Sequence, residues 1–114
     1  MIRFHDSEKA FKEGDCGPKY LGDGPGYEWG ILLLKPGQGS RVYGRHYHKV
    51  VAETFYVLEG DIRMWVEGSE FRIQGGDVVT VQPNERHWLE NDSSGDFRAV
   101  FMKYPIDPSD RHAF

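Results

Sequence analysis

The chain contains five histidines: His5, His46, His48, His87 and His112. Three of them, His46, His48 and His87, fall in stretches that read as β-strands. His46 and His48 are two residues apart, and in a strand that spacing puts both imidazoles on one face. They share the parity of Val42, so if Val42 marks the inward face, both rings point into the protein. Glu53 opens the next strand and shares a face with Phe55 and Val57, where a lone carboxylate would be costly to bury. His87 shares its face with Leu89 and Asn91. The pattern is that of three imidazoles and one carboxylate converging inside a small apolar cavity. A divalent cation would make the convergence tolerable, since it takes neutral imidazole nitrogens and stabilises an ionised carboxylate. Four such ligands leave one or two positions open on a five- or six-coordinate ion, as water or a substrate requires. A plainer reading stands beside this one. A strand histidine is more often a satisfied core or surface residue, and His-x-His alone can be a surface pair.

The elements that must hold these groups are short strands. Ala and Leu total only 10 residues, whereas Val, Ile, Thr and the aromatics total 32, which suits a pleated, half-buried surface. The 14 glycines and 6 prolines supply many turns. Strands are expected over Trp29–Lys35, Arg41–His48, Glu53–Leu58, Asp61–Glu67, Glu70–Gln74, Asp77–Gln82, His87–Asn91 and Phe97–Tyr104. Asp61–Glu67 alternates, with Ile62, Met64 and Val66 on one face. Gly68-Ser69 reads as a type II′ hairpin turn, and Phe71 and Ile73 return inward. With few helices to pack against, the sheet should close on itself or double into a jelly roll. The chain divides into an irregular arm over 1–28, a barrel over 29–104 and a solvated tail over 105–114. Within the arm, Asp6–Phe11 can form a helical turn, and the glycines and prolines from Gly14 to Gly26 argue against long regular structure.

The bulk properties exclude several function classes. At 114 residues and a net charge of −4, without basic clusters, the chain is one domain and is not expected to bind nucleic acid or an anionic membrane. No apolar run is long enough to span a bilayer, and the N-terminus has no signal-like apolar stretch. A lone cysteine, Cys16, excludes an internal disulfide framework, suits the cytoplasm, and reads as structural or incidental. Arg41, Tyr43, Arg45 and Tyr47 alternate away from the histidine face and read as a solvated face or a dimer surface. Trp88 is likewise out of phase with His87. A thin core makes a homodimer a natural way to bury more surface.

Residues 39–91 resemble the two signature motifs of the cupin superfamily. His46-Tyr47-His48, Glu53 and Gly60 match the first motif in type and spacing, with Gly39 one place off its leading glycine. Gly76, Pro83, His87 and Asn91 match the second, with Gln82 in place of a proline and Asn84 in place of a glycine. Asparagine tolerates the left-handed backbone such a glycine provides. The resemblance implies a double-stranded β-helix barrel in one copy. It also implies metal ligands His46, His48, Glu53 and His87, and one divalent transition metal ion: Mn, Fe, Ni, Co or Zn. Phe55, Val57, Met64, Phe71, Leu89 and Phe101 are the expected apolar surroundings.

Among cupins that ligand set serves dioxygenases, decarboxylases or lyases, and sugar isomerases. The expected partner is a small polar, carbonyl-bearing or enolisable molecule. Glu53 can act as a ligand or, swinging away, as a proton carrier. The alternative is a non-catalytic module that binds a small ligand or a metal. No helix-turn-helix segment that would make it a DNA-linked sensor is expected within 114 residues.

Overall fold

The computed structural model describes residues 1–39 and 45–114, and ten strands among them form two antiparallel sheets of five. β1 (Gly17–Gly24), β2 (Tyr27–Leu34), β4 (Ala52–Glu59), β7 (Val78–Val81) and β9 (Phe97–Tyr104) make the first sheet, ordered β1-β2-β9-β4-β7. β3 (His46–Tyr47), β5 (Asp61–Val66), β6 (Ser69–Gln74), β8 (His87–Glu90) and β10 (His112–Ala113) make the second, ordered β10-β3-β8-β5-β6. The all-β architecture is the one the composition calls for. Of the expected strand Arg41–His48, only its end is seen as β3, and Arg41, Val42 and Tyr43 lie outside the described residues.

Period-2 burial joins the sheets. Phe97, Ala99 and Phe101 of β9 are buried on alternate positions, as are Glu53, Phe55 and Val57 of β4. They face Ile62 and Met64 of β5 and Ile73 of β6, which are almost fully buried, with Phe71 packed at the edge. The core therefore fills one end of the space between the sheets, while the other end stays open around the histidines.

Three local expectations are corrected. The β5–β6 loop is Glu67-Gly68, not Gly68-Ser69, because Val66 pairs with Ser69. Glu67 and Gly68 sit at φ 43° and 87°, the two positive values of a type I′ turn. Arg86 is the reason a glutamate adopts that conformation. The Glu67 carboxylate accepts the Arg86 backbone N–H at 2.7 Å and the Arg86 guanidinium at 3.1 Å. The glycine-rich stretch from Gly17 to Gly24 is also a regular strand, paired along its length with β2. A β-bulge between Tyr20 and Gly22 absorbs the irregularity. A Cβ on Gly22 would stand 2.8 Å from the Trp29 indole nitrogen, so glycine there makes room for a ring. The N-terminal helical turn shrinks to a 3-10 turn over Asp6–Glu8, capped by His5.

Asn91 ties the end of β8 to its surroundings. Its Nδ2 donates to the carbonyls of Leu34 and Gly95, both at 2.8 Å, and its Oδ1 accepts from Ser93 N at 3.0 Å and Ser93 Oγ at 2.6 Å. The residue is fully buried. Asn91→Ala removes the amide donor from both carbonyls, of which Gly95 keeps Ser93 Oγ at 3.1 Å, and is expected to cost about 3 kcal/mol, at roughly 1 kcal/mol or more per lost bond or unsatisfied group. Urea unfolding measures this, and a loss below about 1 kcal/mol would show that the clasp contributes little.

Candidate metal centre

β3, β4 and β8 bring His46, His48, Glu53 and His87 together, as the motif spacing requires. His46 pairs directly with His87 across the β3–β8 ladder. The ring centroids of His46 lie 4.6 Å from those of His87 and 5.0 Å from those of His48. Glu53 enters from the facing sheet, with Oε1 3.6 Å from His87 Nε2 and 4.0 Å from His48 Nε2. His48, Glu53 and His87 are buried and His46 is half-buried.

The turn before β8 sets the approach. Asn84 has φ 69°, so it does supply the left-handed backbone of the missing motif glycine. Its N–H donates to the His48 carbonyl and binds this turn to the ligand strand. Gly39 forms a bridge with Glu90, and a Cβ there would come within 2.3 Å of the Leu89 carbonyl oxygen. Glycine is therefore required at 39 even though the motif places it one residue later.

The imidazoles are oriented from behind. His87 Nδ1 lies 2.9 Å from the Glu85 carbonyl oxygen, and His48 Nδ1 contacts the Asp110 carbonyl oxygen. A carbonyl oxygen only accepts, so both Nδ1 atoms carry a proton, which leaves each Nε2 to meet Glu53 as the donor of a charged ring or, on a neutral ring, to offer its lone pair to an ion. Both Nε2 atoms are buried and, among the described residues, have no hydrogen-bond partner. Buried polar atoms left so are rare, and these two face the same carboxylate.

A divalent ion fits this arrangement. The four donor atoms lie within 4.8 Å of one another. Donors about 2.1 Å from one ion lie at most ~4.2 Å apart, so the widest spacing allowed here closes by roughly half an ångström. Burial pushes the Glu53 carboxyl up, but the His87 ring, the Lys103 ammonium and His46 hold it at about 2. Glu53 is thus ready to act as an anionic ligand. Imidazole and carboxylate donors suit first-row divalent metals, and the buried Cys16 is not part of the cluster.

Over the cluster opens a cavity of about 580 Å³. Phe55, Leu89 and Phe101 line it, whereas Val57, Met64 and Phe71 belong to the core beneath. Two features of this cavity were not anticipated from sequence. Lys103 extends from β9 to within 3.7 Å of Glu53 Oε2. It shares the inward parity of Phe97, Ala99 and Phe101, a signal present in the strand pattern. The tail is the second feature: it is largely exposed, but it is anchored to the barrel through β10 and Asp110. β10 pairs with β3, and buried Asp110 accepts the backbone N–H groups of Lys49, Val50 and Val51 at 2.8–2.9 Å. Arg111 lies at the cavity mouth, its Nη2 3.3 Å from His46 Nδ1. Arg45 lies over the Trp88 ring, and Trp88, half-buried and among the residues that line the cavity, stacks on Trp65.

Residues 30–103 match the Cupin_2 family model, the cupin domain. Over 56 residues the chain is 41% identical to quercetin 2,3-dioxygenase from Bacillus subtilis, covering 49% of this chain and 16% of that protein. Over 79 residues it is 30% identical to the tetracenomycin polyketide synthase protein TcmJ from Streptomyces glaucescens, covering 69% of this chain and 51% of that one. The chain thus spans about half, or much less, of the length of these relatives. The fold also matches a conserved double-stranded β-helix protein from Klebsiella pneumoniae at TM-score 0.79 and 18% identity, covering 100% of this chain and 98% of that one. The matched span runs from β2 to β9 and holds all four donors, so the chain belongs to the cupin domain family.

Proposed function

We propose that this cupin is a metal-dependent enzyme acting on a small polar, carbonyl-bearing or enolisable molecule, of dioxygenase, decarboxylase/lyase or sugar-isomerase type. The observation that carries the reading is the pair of buried, unpartnered imidazole Nε2 atoms facing an ionised Glu53 at the floor of an open cavity. His46, His48, Glu53 and His87 hold one Mn, Fe, Ni, Co or Zn ion. Such an ion, when bound, polarises a carbonyl or enolate oxygen. Glu53 either stays a ligand or takes a proton from the bound molecule. Phe55, Leu89 and Phe101 keep water off one side of it. The similarity to a dioxygenase supports oxygen chemistry, and the cavity's charged rim supports a polar substrate.

Turnover of a panel of β-dicarbonyl, flavonol and sugar compounds, with and without oxygen, tests this reading. Metal-dependent turnover is expected, and its loss without oxygen would select the oxygenase. Tight metal and ligand binding with no turnover of any compound would support the alternative, a non-catalytic binding module. The single buried cysteine, with no disulfide, supports a cytoplasmic place of work.

A homodimer is part of the same proposal, through a face other than the one bearing Arg45 and Tyr47. The outer side of the first sheet carries a row Ile31, Val100, Tyr56, Val78 beside a row Trp29, Met102, Thr54, Thr80. Tyr56 is 48% exposed and Val78 64%. Four strands of eight residues and the four-residue β7, about 4.8 Å apart, present roughly 550 Å² of face. A standard interface takes about 800 Å² per partner, so this face supplies most of what a second copy related by a two-fold would cover. Sedimentation at micromolar concentration should give twice the 13.1 kDa chain mass. The pair Tyr56→Glu and Met102→Glu should yield a monomer, and a monomeric unsubstituted chain would contradict the dimer.

A further inference from the structure

We infer that Lys103 and Tyr20 form an anion-binding subsite beside the metal centre, selecting molecules that carry a carboxylate or other anionic oxygen next to their metal-binding end. The inference rests on the metal-centre reading above.

Lys103 stands between two acidic strand neighbours: the β9 register sets it opposite Glu28 of β2 and Glu53 of β4. Its side chain is 21% exposed and lies in the cavity wall. Among the described residues, Nζ makes one hydrogen bond, to Tyr20 Oη at 2.9 Å. Glu53 Oε2, at 3.7 Å, is an ion-pair partner beyond hydrogen-bonding distance. The Nζ atom lies 5.4 Å from the centre of the Tyr20 ring and 5.7 Å from that of Phe101. These rings meet edge-to-face at 5.1 Å, which fixes the aromatic wall behind the ammonium. An ammonium has three N–H donors, so this one has donors left for a third party.

Charge explains what that party is. In the protein alone, Glu28 and Glu53 outnumber Lys103. A divalent ion held by Glu53 changes the local sum of these three side chains and the ion to +1. A half-buried excess cation in an apolar wall is unfavourable, and one ligand anion cancels it. Lys103 then turns from a partner of Glu53 into a partner of the bound molecule, supported by the Tyr20 hydroxyl. The acidic Glu28 on the same wall argues against a second anionic group in the molecule.

A pair of probes tests this on metal-loaded protein without turnover. 4-Ethylimidazole and imidazole-4-propionate share a neutral metal-binding end and differ in a distal carboxylate. By calorimetry with nickel-loaded protein, the carboxylate should improve affinity at least ~10-fold, about 1.4 kcal/mol. Lys103→Met should bring the affinity ratio of the two probes to near one. Tyr20→Phe, which keeps the ring against Phe101, should reduce the ratio severalfold and carries the test if Lys103→Met does not fold. A ratio near one in the unsubstituted protein, or a full ratio surviving in either variant, overturns the subsite. Failure to load nickel, checked first by elemental analysis, overturns the metal centre and the subsite together. Loading with no carboxylate preference overturns the subsite alone.

Discussion

Replacing His87 by alanine is expected to weaken divalent-metal binding by well over ~100-fold, since loss of a mere outer-shell partner already costs about 10–100-fold. His87 is the ligand with least freedom to be replaced. It is fully buried, its Nδ1–H is fixed on the Glu85 carbonyl, and its Nε2 is the nearer imidazole atom to Glu53. Its strand neighbours on the inward face are apolar, Leu89 on β8 and Val66 opposite on β5, so water is a poor replacement there. The measurement is a calorimetric titration with Ni²⁺ or Zn²⁺ at fixed pH. The same variant should lose the rise in thermal midpoint that metal gives the unsubstituted protein, because a ligand stabilises only the state that binds it. His46→Ala is the companion variant. His46 is half-buried, so its loss disturbs packing less and isolates the coordination effect. Unchanged affinity in both variants would place the metal elsewhere.

The second large effect is expected far from the motifs. Asp110→Ala should destabilise the protein by about 3 kcal/mol or more, since a hydrogen bond to a charged group contributes about 1.5–3 kcal/mol. Burial pushes this carboxyl up, but the N–H groups of Lys49, Val50 and Val51, with the His112 ring, hold it well below the usual carboxylate range. Water can reach Lys49 and Val50 in the variant, but Val51 is buried and its N–H would lose its acceptor. At roughly 4–8 °C per kcal/mol for a domain near this size, the melting midpoint should fall by more than about 10 °C. Asp110 also presents the carbonyl that orients His48. Alanine keeps that backbone carbonyl but releases the clamp that holds it in place, so metal affinity should fall as well, by no more than the ~10–100-fold that loss of a ligand's supporting group costs. A drop in stability without any change in affinity would show that the tail holds the fold and not the ligand.

These residues also show which parts of the fold could be read in advance. The cluster of His46, His48, Glu53 and His87 is legible because the cupin motifs constrain residue type and spacing, and strand geometry constrains parity. Both leave marks within a few positions in sequence. The inward set Ile62, Met64, Ile73 and Phe101 is legible for the same reason. The hairpin turn reads one residue late in the sequence because Gly68 suits either register, and the deciding contact, Glu67 with Arg86, comes from 19 residues away. β1 was hidden because glycines that punctuate a chain also make space for rings, as Gly22 does for Trp29. Asp110 was unreadable as a clamp, since its three donors lie some 60 residues earlier. Lys103 carried a parity signal that a charged residue near a strand end does not usually merit. The role of Arg41 and Tyr43 lies outside the described residues.

The most direct test of the central claim is the metal content of protein purified without added metal, followed by titration of the stripped protein. The expected result is close to one first-row divalent ion per chain, recovered on titration and absent from His46→Ala and His87→Ala. A chain that carries no such ion and binds none under titration would contradict the metal centre and every function built on it.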